Sequence, residues 1–167
     1  MSGMLDQKTA LLSDTVIKEI EHWLAKFPAD HRQSALLAAL TAAQNANAGW
    51  LSKELIDAVA DYIGVPRIAA HEAATFYSMY ELKPVGKHKI CVCTNISCLL
   101  RGSENVVKHL EERLGIKLGE TTADGKFTLK NVECLAACGG APAIQIGNDY
   151  HENITPVKLE AILKGLE

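Results

Sequence analysis

Cys91–Cys98 reads CVCTNISC and Cys134–Cys138 reads CLAAC, with a helix-like and a strand-like segment between them. Four of the five cysteines fall into two tight pairs. Four residues separate Cys93 from Cys98, and three separate Cys134 from Cys138. A thiolate is a soft anionic ligand suited to iron–sulfur clusters, zinc and copper(I). Two pairs on separate loops, brought together by the fold, make a four-thiolate cage. A [2Fe-2S] cluster needs two thiolates on each iron, which two pairs supply. A structural zinc site accepts the same spacings, although such sites usually staple domains too small to build a core. Thiol–disulfide exchange is a third reading, without the usual two-residue spacing. Cys91 lies two residues before Cys93 in a β-like stretch and reads as a small buried hydrophobe rather than a ligand.

The rest of the composition narrows the class. The chain has 167 residues, 48% of them apolar and 22% charged, enough for a proper core in one domain, or in one domain with a helical appendage. A net charge of −3 argues against nucleic acid, which wants a clustered basic surface. No apolar run approaches the roughly 20 residues of a membrane span. MSGMLDQKTALLSD, the N-terminus, has no basic flank with a long apolar stretch, so no signal peptide is expected. The expected compartment is the cytosol, where clustered cysteines serve as ligands or redox groups.

Along the chain, the first dozen residues show no cap or sustained period and are expected to be mobile. Ser13 or Asp14 caps a helix with Val16, Ile17, Ile20, Trp23, Leu24 and Phe27 on one face. Pro28 starts a new segment. Ala35, Leu36, Leu37, Leu40 and Ala43 line a second helix that ends near Asn45–Gly49. Ser52 caps a third, with Leu55, Ile56, Val59 and Ile63 inward and Gly64 as its stop. Pro66 opens a fourth that carries Ile68, Ala69, Ala73, Phe76 and Tyr80. Four amphipathic helices with short loops pack as a small bundle.

The pattern then changes, with the boundary at Lys83–Lys87. Lys89–Cys93 is β-like and runs into the first cysteine loop. Gly102–Gly115 is helical, with Val106, Val107, Leu110 and Leu114 inward, and Phe127–Val132 alternates as a strand into the second loop. Ala143–Ile146 and Tyr150–Glu152 form a hairpin around Gly147–Asn148. Thr155 caps a last helix with Val157, Leu159, Ile162, Leu163 and Leu166 inward. The order is that of a small α/β sheet layer with helices against it.

Other candidates carry less chemistry. His22, His31, His71, His88, His109 and His151 are scattered, none at a tight spacing from a cysteine. Phe76, Tyr77 and Tyr80 stand at helical spacing and read as core or interface. Glu104, Glu111 and Glu112 read as a solvated helix face. There is no phosphate-cradling glycine loop and no flavin or nicotinamide fingerprint. The chain is equipped to hold electrons, and something else must supply them.

Cys93-Thr94-x-x-x-Cys98 followed by Leu100–Arg101–Gly102–Ser103 resembles the first cluster loop of the E-subunit family of NADH:quinone oxidoreductase, or respiratory complex I. Leu114–Gly115–Ile116, Gly119–Glu120–Thr121–Thr122 and Phe127–Thr128–Leu129 continue the likeness. Val132–Glu133–Cys134–Leu135, Cys138 and Ala141–Pro142 resemble the second loop. Upstream, Gly49–Trp50–Leu51, Ala74–Thr75–Phe76–Tyr77 and Lys83–Pro84–Val85–Gly86 fit as well. The resemblance spans residues 14–166.

It implies an α+β chain: an N-terminal helical bundle over 1–83, then a thioredoxin-like [2Fe-2S] ferredoxin domain over 84–167. It carries the iron-ligand role onto Cys93, Cys98, Cys134 and Cys138 and leaves Cys91 outside. Ala136 departs from the glycine of many relatives, and its methyl would crowd a sulfur or alter a backbone angle. The implied partner is a flavin subunit that holds FMN, NADH and a [4Fe-4S] cluster, alongside other peripheral-arm subunits. The [2Fe-2S] cluster would lie on the far side of the flavin from the main electron wire and take one electron from it. The isolated chain would not be catalytic. The complex would hold it on the cytoplasmic side of the inner membrane, with no insertion of its own. Relatives also serve NAD-linked hydrogenases and formate dehydrogenases. A zinc-stabilised, non-redox assembly module is the alternative of a different class.

Overall fold

The computed structural model describes residues 11–166. Most of the N-terminal stretch expected to be mobile lies outside the described residues; Leu12, at its end, is buried in a core. The chain forms two compact units that part between Pro84 and Val85. No helix among the described residues is long and apolar enough to cross a membrane.

The first unit is helical: α1 (Asp14–Leu24), a 3-10 turn (Ala29–Ala35), α2 (Leu36–Ala46), α3 (Lys53–Ile63) and α4 (Arg67–Phe76). Ser13 caps α1, its Oγ accepting from the Val16 amide at 3.4 Å, while Val16, Ile20 and Leu24 are buried. Ser52 does the same for α3 through the Leu55 amide at 3.1 Å, and Gly64 ends that helix with a φ of 82°. The Arg32 guanidinium donates to the Ile63 carbonyl at 2.7 Å, satisfying one of the acceptors a helix end leaves orphaned. The 3-10 turn goes beyond the sequence expectation, because ADHRQSA carries no apolar stripe.

The α4 face is a correction. Ile68, among the apolar set of this helix, and Phe76, read as core or interface, are 67% and 80% exposed and so outside this unit's core. The buried side is Ala70 and Ala74, whose small side chains let α4 lie close on its neighbours. Tyr80 is buried, yet beyond the helix end, where its hydroxyl donates to the Leu37 carbonyl at 2.7 Å. Gln44, buried on α2, fixes the same segment: its amide nitrogen donates to Met79 O at 3.2 Å and its oxygen accepts from the Glu81 amide at 2.8 Å.

The second unit comprises β1 (His88–Cys93), α5 (Ile96–Leu100), α6 (Ser103–Leu114), β2 (Phe127–Val132), a 3-10 turn (Cys138–Gly140), β3 (Ile144–Ile146), β4 (Asp149–His151) and α7 (Pro156–Leu166). The sheet order is β2-β1-β3-β4. β1 and β2 are parallel, joined by the α5–α6 crossover, whereas β3 runs antiparallel to both β1 and β4. Ile90, Val92, Leu110, Leu129, Ile144, Leu159 and Leu163 fill the core.

β2 does not alternate as expected. Phe127, Thr128 and Leu129 are all buried. Thr128 is tolerated there because its hydroxyl accepts from the Gly86 amide at 2.6 Å and bonds the Thr121 hydroxyl at 2.7 Å. Val157, expected inward, is 82% exposed. It stands two residues before buried Leu159, hence on the opposite side of α7. Glu111 is more than a solvated group: its carboxylate accepts from Lys117 Nζ at 2.8 Å and from the Leu118 amide at 3.2 Å.

Candidate metal centre

Parallel pairing decides where the cysteines go. β1 and β2 run side by side with Cys93 opposite Val132, so both strands end at the same sheet edge. Pairing continues to the rim: the Cys93 amide donates to Ala143 O at 3.1 Å and the Thr94 amide to Val132 O at 3.0 Å. Each cysteine pair begins where a strand stops. Loops beyond the carboxyl ends of parallel strands are where α/β folds place their ligands.

Cys93 is the last residue of β1. Asn95 then accepts from the Ile96 amide at 2.7 Å and starts α5, which carries Cys98. Cys98 therefore sits on one turn of helix, not on the open loop expected. On the other side, Cys134 follows β2 and Cys138 opens the 3-10 turn. Cys93 and Cys98 are buried with Leu135, Ala141 and Ala143, whereas Cys134 and Cys138 are exposed.

Burial pushes the Cys98 thiol above its ordinary range, and a hydrogen bond with the Cys93 side chain pushes the same way. The Ala143 amide opposes them by favouring the thiolate, while charge on Cys93 and Cys138 raises Cys98 further. Cys134 is held differently: its Sγ accepts from the Ala136 amide at 3.2 Å. Ala136 has a φ of 55°, in the left-handed region. The methyl therefore rides on a backbone conformation that glycine enters freely.

Cys91 is buried in mid-strand, in register with Lys130 and Gln145, two register positions back from the rim. Two of the histidines pair with carboxylates. His71 Nε2 meets Asp57 at 2.8 Å, and His109 Nε2 meets Glu160 at 2.7 Å. His88 opens β1 at the end remote from the cysteines. Among the described residues, no three His, Cys, Asp or Glu side chains stand as a ready-made ion-holding group. The fit to iron and sulfide rests on donor chemistry: four thiols at one sheet edge, with amide hydrogens of Ala136 and Ala143 turned to sulfurs. The two amides are what sequence reasoning missed, since a backbone donor has no letter of its own.

The family model described as "Thioredoxin-like [2Fe-2S] ferredoxin" matches residues 20–167. The NADH-quinone oxidoreductase E subunit of Rickettsia bellii (strain RML369-C) is 46% identical over 161 residues, covering 96% of this chain and 92% of that one. The Rickettsia prowazekii (strain Madrid E) protein of the same name is 44% identical, over 95% and 86%. An NADH-quinone oxidoreductase E subunit of Rhizobium meliloti (strain 1021) is 45% identical, over 90% and 88%. Among solved structures, an NAD+-reducing [NiFe]-hydrogenase in the air-oxidised state aligns with a TM-score of 0.67 at 20% identity. That likeness covers 81% of this chain but spans only 24% of the hydrogenase chain, and it is a likeness of fold. The chain belongs to the thioredoxin-like [2Fe-2S] ferredoxin family and, within it, to the E-subunit family of NADH-quinone oxidoreductase.

Proposed function

We propose that Cys93, Cys98, Cys134 and Cys138 hold one [2Fe-2S] cluster, and that the chain is the electron-carrying E subunit of an NADH-oxidising complex. When bound, the group supplies one-electron storage. The observation that carries the reading is the parallel β1–β2 pair, which sends both cysteine loops out of one sheet edge. Cys93 and Cys98 anchor the site from a buried apolar wall, and Cys134 and Cys138 close it from the exposed side. The Ala143 amide beside Cys98 offsets part of the cost of a buried thiolate.

The partner in this reading is a flavin subunit that carries FMN and NADH and exchanges one electron with this chain. The complex sits on the cytoplasmic face of the inner membrane. Relatives at 44–46% identity that bear the quinone-linked name support that complex over a hydrogenase, whose 20% likeness speaks for the fold alone.

The test is EPR of the anaerobically purified, dithionite-reduced chain, with iron and zinc quantified on the same sample. The reading expects a spin-half signal and about two irons per chain. Stoichiometric zinc without iron, persisting after anaerobic reconstitution, would overturn it in favour of the structural module. Alanine at Cys93, Cys98, Cys134 or Cys138 should each cost the cluster, and Cys91→Ala should spare it. A cluster lost only in Cys91→Ala would refute the ligand set. The division of labour with the flavin subunit fails if the isolated chain binds FMN stoichiometrically.

A further inference from the structure

Ala136 has two properties that meet at one sulfur. It is one of three non-glycine residues with a positive φ among those described, the others being Ala48 and Asn153. A methyl-bearing residue does not enter the left-handed region without a steric cost, so the surrounding loop must impose it. The same turn brings the Ala136 amide to 3.2 Å from Cys134 Sγ. Leu135, between the two, is buried against Cys93 and Cys98 and so fixes the loop from the other side.

We propose that Ala136 is a positioning residue for the iron–sulfur group: the turn that holds its backbone left-handed also holds its amide hydrogen on the Cys134 sulfur and raises the group's reduction potential. The inference rests on Cys134 being an iron ligand. Reduction adds negative charge that spreads onto the sulfurs. A fixed N–H dipole stabilises the more negative form more than the less negative one. Because Cys134 is on the exposed side, this donor orders a sulfur that burial does not.

The experiment compares the full-length, anaerobically loaded chain with Ala136→Gly and Ala136→Val by redox titration followed in EPR. Glycine occupies the left-handed region freely. Ala136→Gly is therefore expected to keep its iron and its potential while melting at a higher temperature. Valine is β-branched and resists that region. Ala136→Val is expected to displace the amide and lower the potential, so that the reduced-to-oxidised ratio at fixed potential falls about tenfold, the equivalent of 59 mV for one electron. An Ala136→Val chain with iron intact and the wild-type potential overturns the proposal and leaves the cluster reading standing. If Ala136→Val loses its iron, alanine-selective 15N labelling decides. The reduced wild-type chain should show a nitrogen hyperfine coupling that Ala136→Gly lacks, and identical spectra overturn the proposal. A wild-type chain that holds zinc in place of iron overturns the cluster reading and this proposal together.

Discussion

His88 opens β1 with its Nε2 buried and without a hydrogen-bond partner, its ring 5.6 Å from that of Phe127. Burial lowers its pKa from the ordinary 6.5, and the neighbouring charges of Lys87 and Lys126 lower it further. The folded chain therefore keeps this imidazole neutral at a pH where the unfolded chain protonates it. The unfolded state binds the extra proton, so this residue's contribution is complete above about pH 6.5 and drains away as the pH falls below it. Urea midpoints measured from pH 7.5 down to 5 should decline, and His88→Phe should flatten that decline. An unchanged slope in the variant would refute the assignment. At this scale the sequence is informative where a side chain does the chemistry. Four cysteines declare themselves by spacing, and Cys91 is set apart by its place in a strand. His88 reads as near the sheet, but its orphaned nitrogen depends on neighbours from β2 that one sequence does not order.

Helices announced by both a cap and a stop are legible to within a residue or two, as Ser52 and Gly64 show for α3. The pieces without a period are not. A five-residue helix such as α5 makes too few turns to show a stripe, and β2 hides its alternation because Thr128 is buried by hydrogen bonds rather than by apolarity. Faces fail where size matters more than hydrophobicity: on α4 the packing side is alanine and the bulky residues face out. Two glycines test the packing of the second unit in opposite directions. A Cβ on Gly86 would fall 2.7 Å from Phe127 C and 2.9 Å from its N, both backbone atoms of the paired strand. Gly86→Ala should cost about 1–3 kcal/mol of unfolding free energy, as overpacking does. A Cβ on Gly165 in α7 would meet nothing within 4 Å, so Gly165→Ala should instead gain about 0.5–1 kcal/mol from helix propensity. Urea denaturation of both variants gives the two signs; a neutral Gly86→Ala would mean the strands separate without penalty.

On the scale of the whole chain, the change from helical period to strand pattern over Lys83–Lys87 motivates a two-domain proposal. Each of the two units encloses a hydrophobic core of its own. A fragment of residues 85–167 should therefore fold cooperatively and take up about two irons without the helical unit. A fragment that is unfolded by circular dichroism after reconstitution would show that the cores are not independent. In the helical unit, Ile68, Phe76, Tyr77, Met79 and Leu82 remain exposed although large and apolar. No spacing argument says what such a surface meets, which is why this part of the function stays illegible in one sequence.

The meeting of two loops at one sheet edge has a mechanical side. Cys93 and Cys98 lie at the end of β1 and on α5, Cys134 and Cys138 beyond β2, and α6 and β2 lie on the chain between the two pairs. Any group that binds all four sulfurs is a covalent rivet across that interval. It closes a long ring of backbone that the unfolded chain would otherwise leave open. By the chain-entropy estimate used for disulfides, such closure is worth about 3–4 kcal/mol. Iron loss would then be an unfolding event as much as a redox one: chelation should lower the melting temperature of the second unit, and a chain that has shed its metal should be the one that proteases find first.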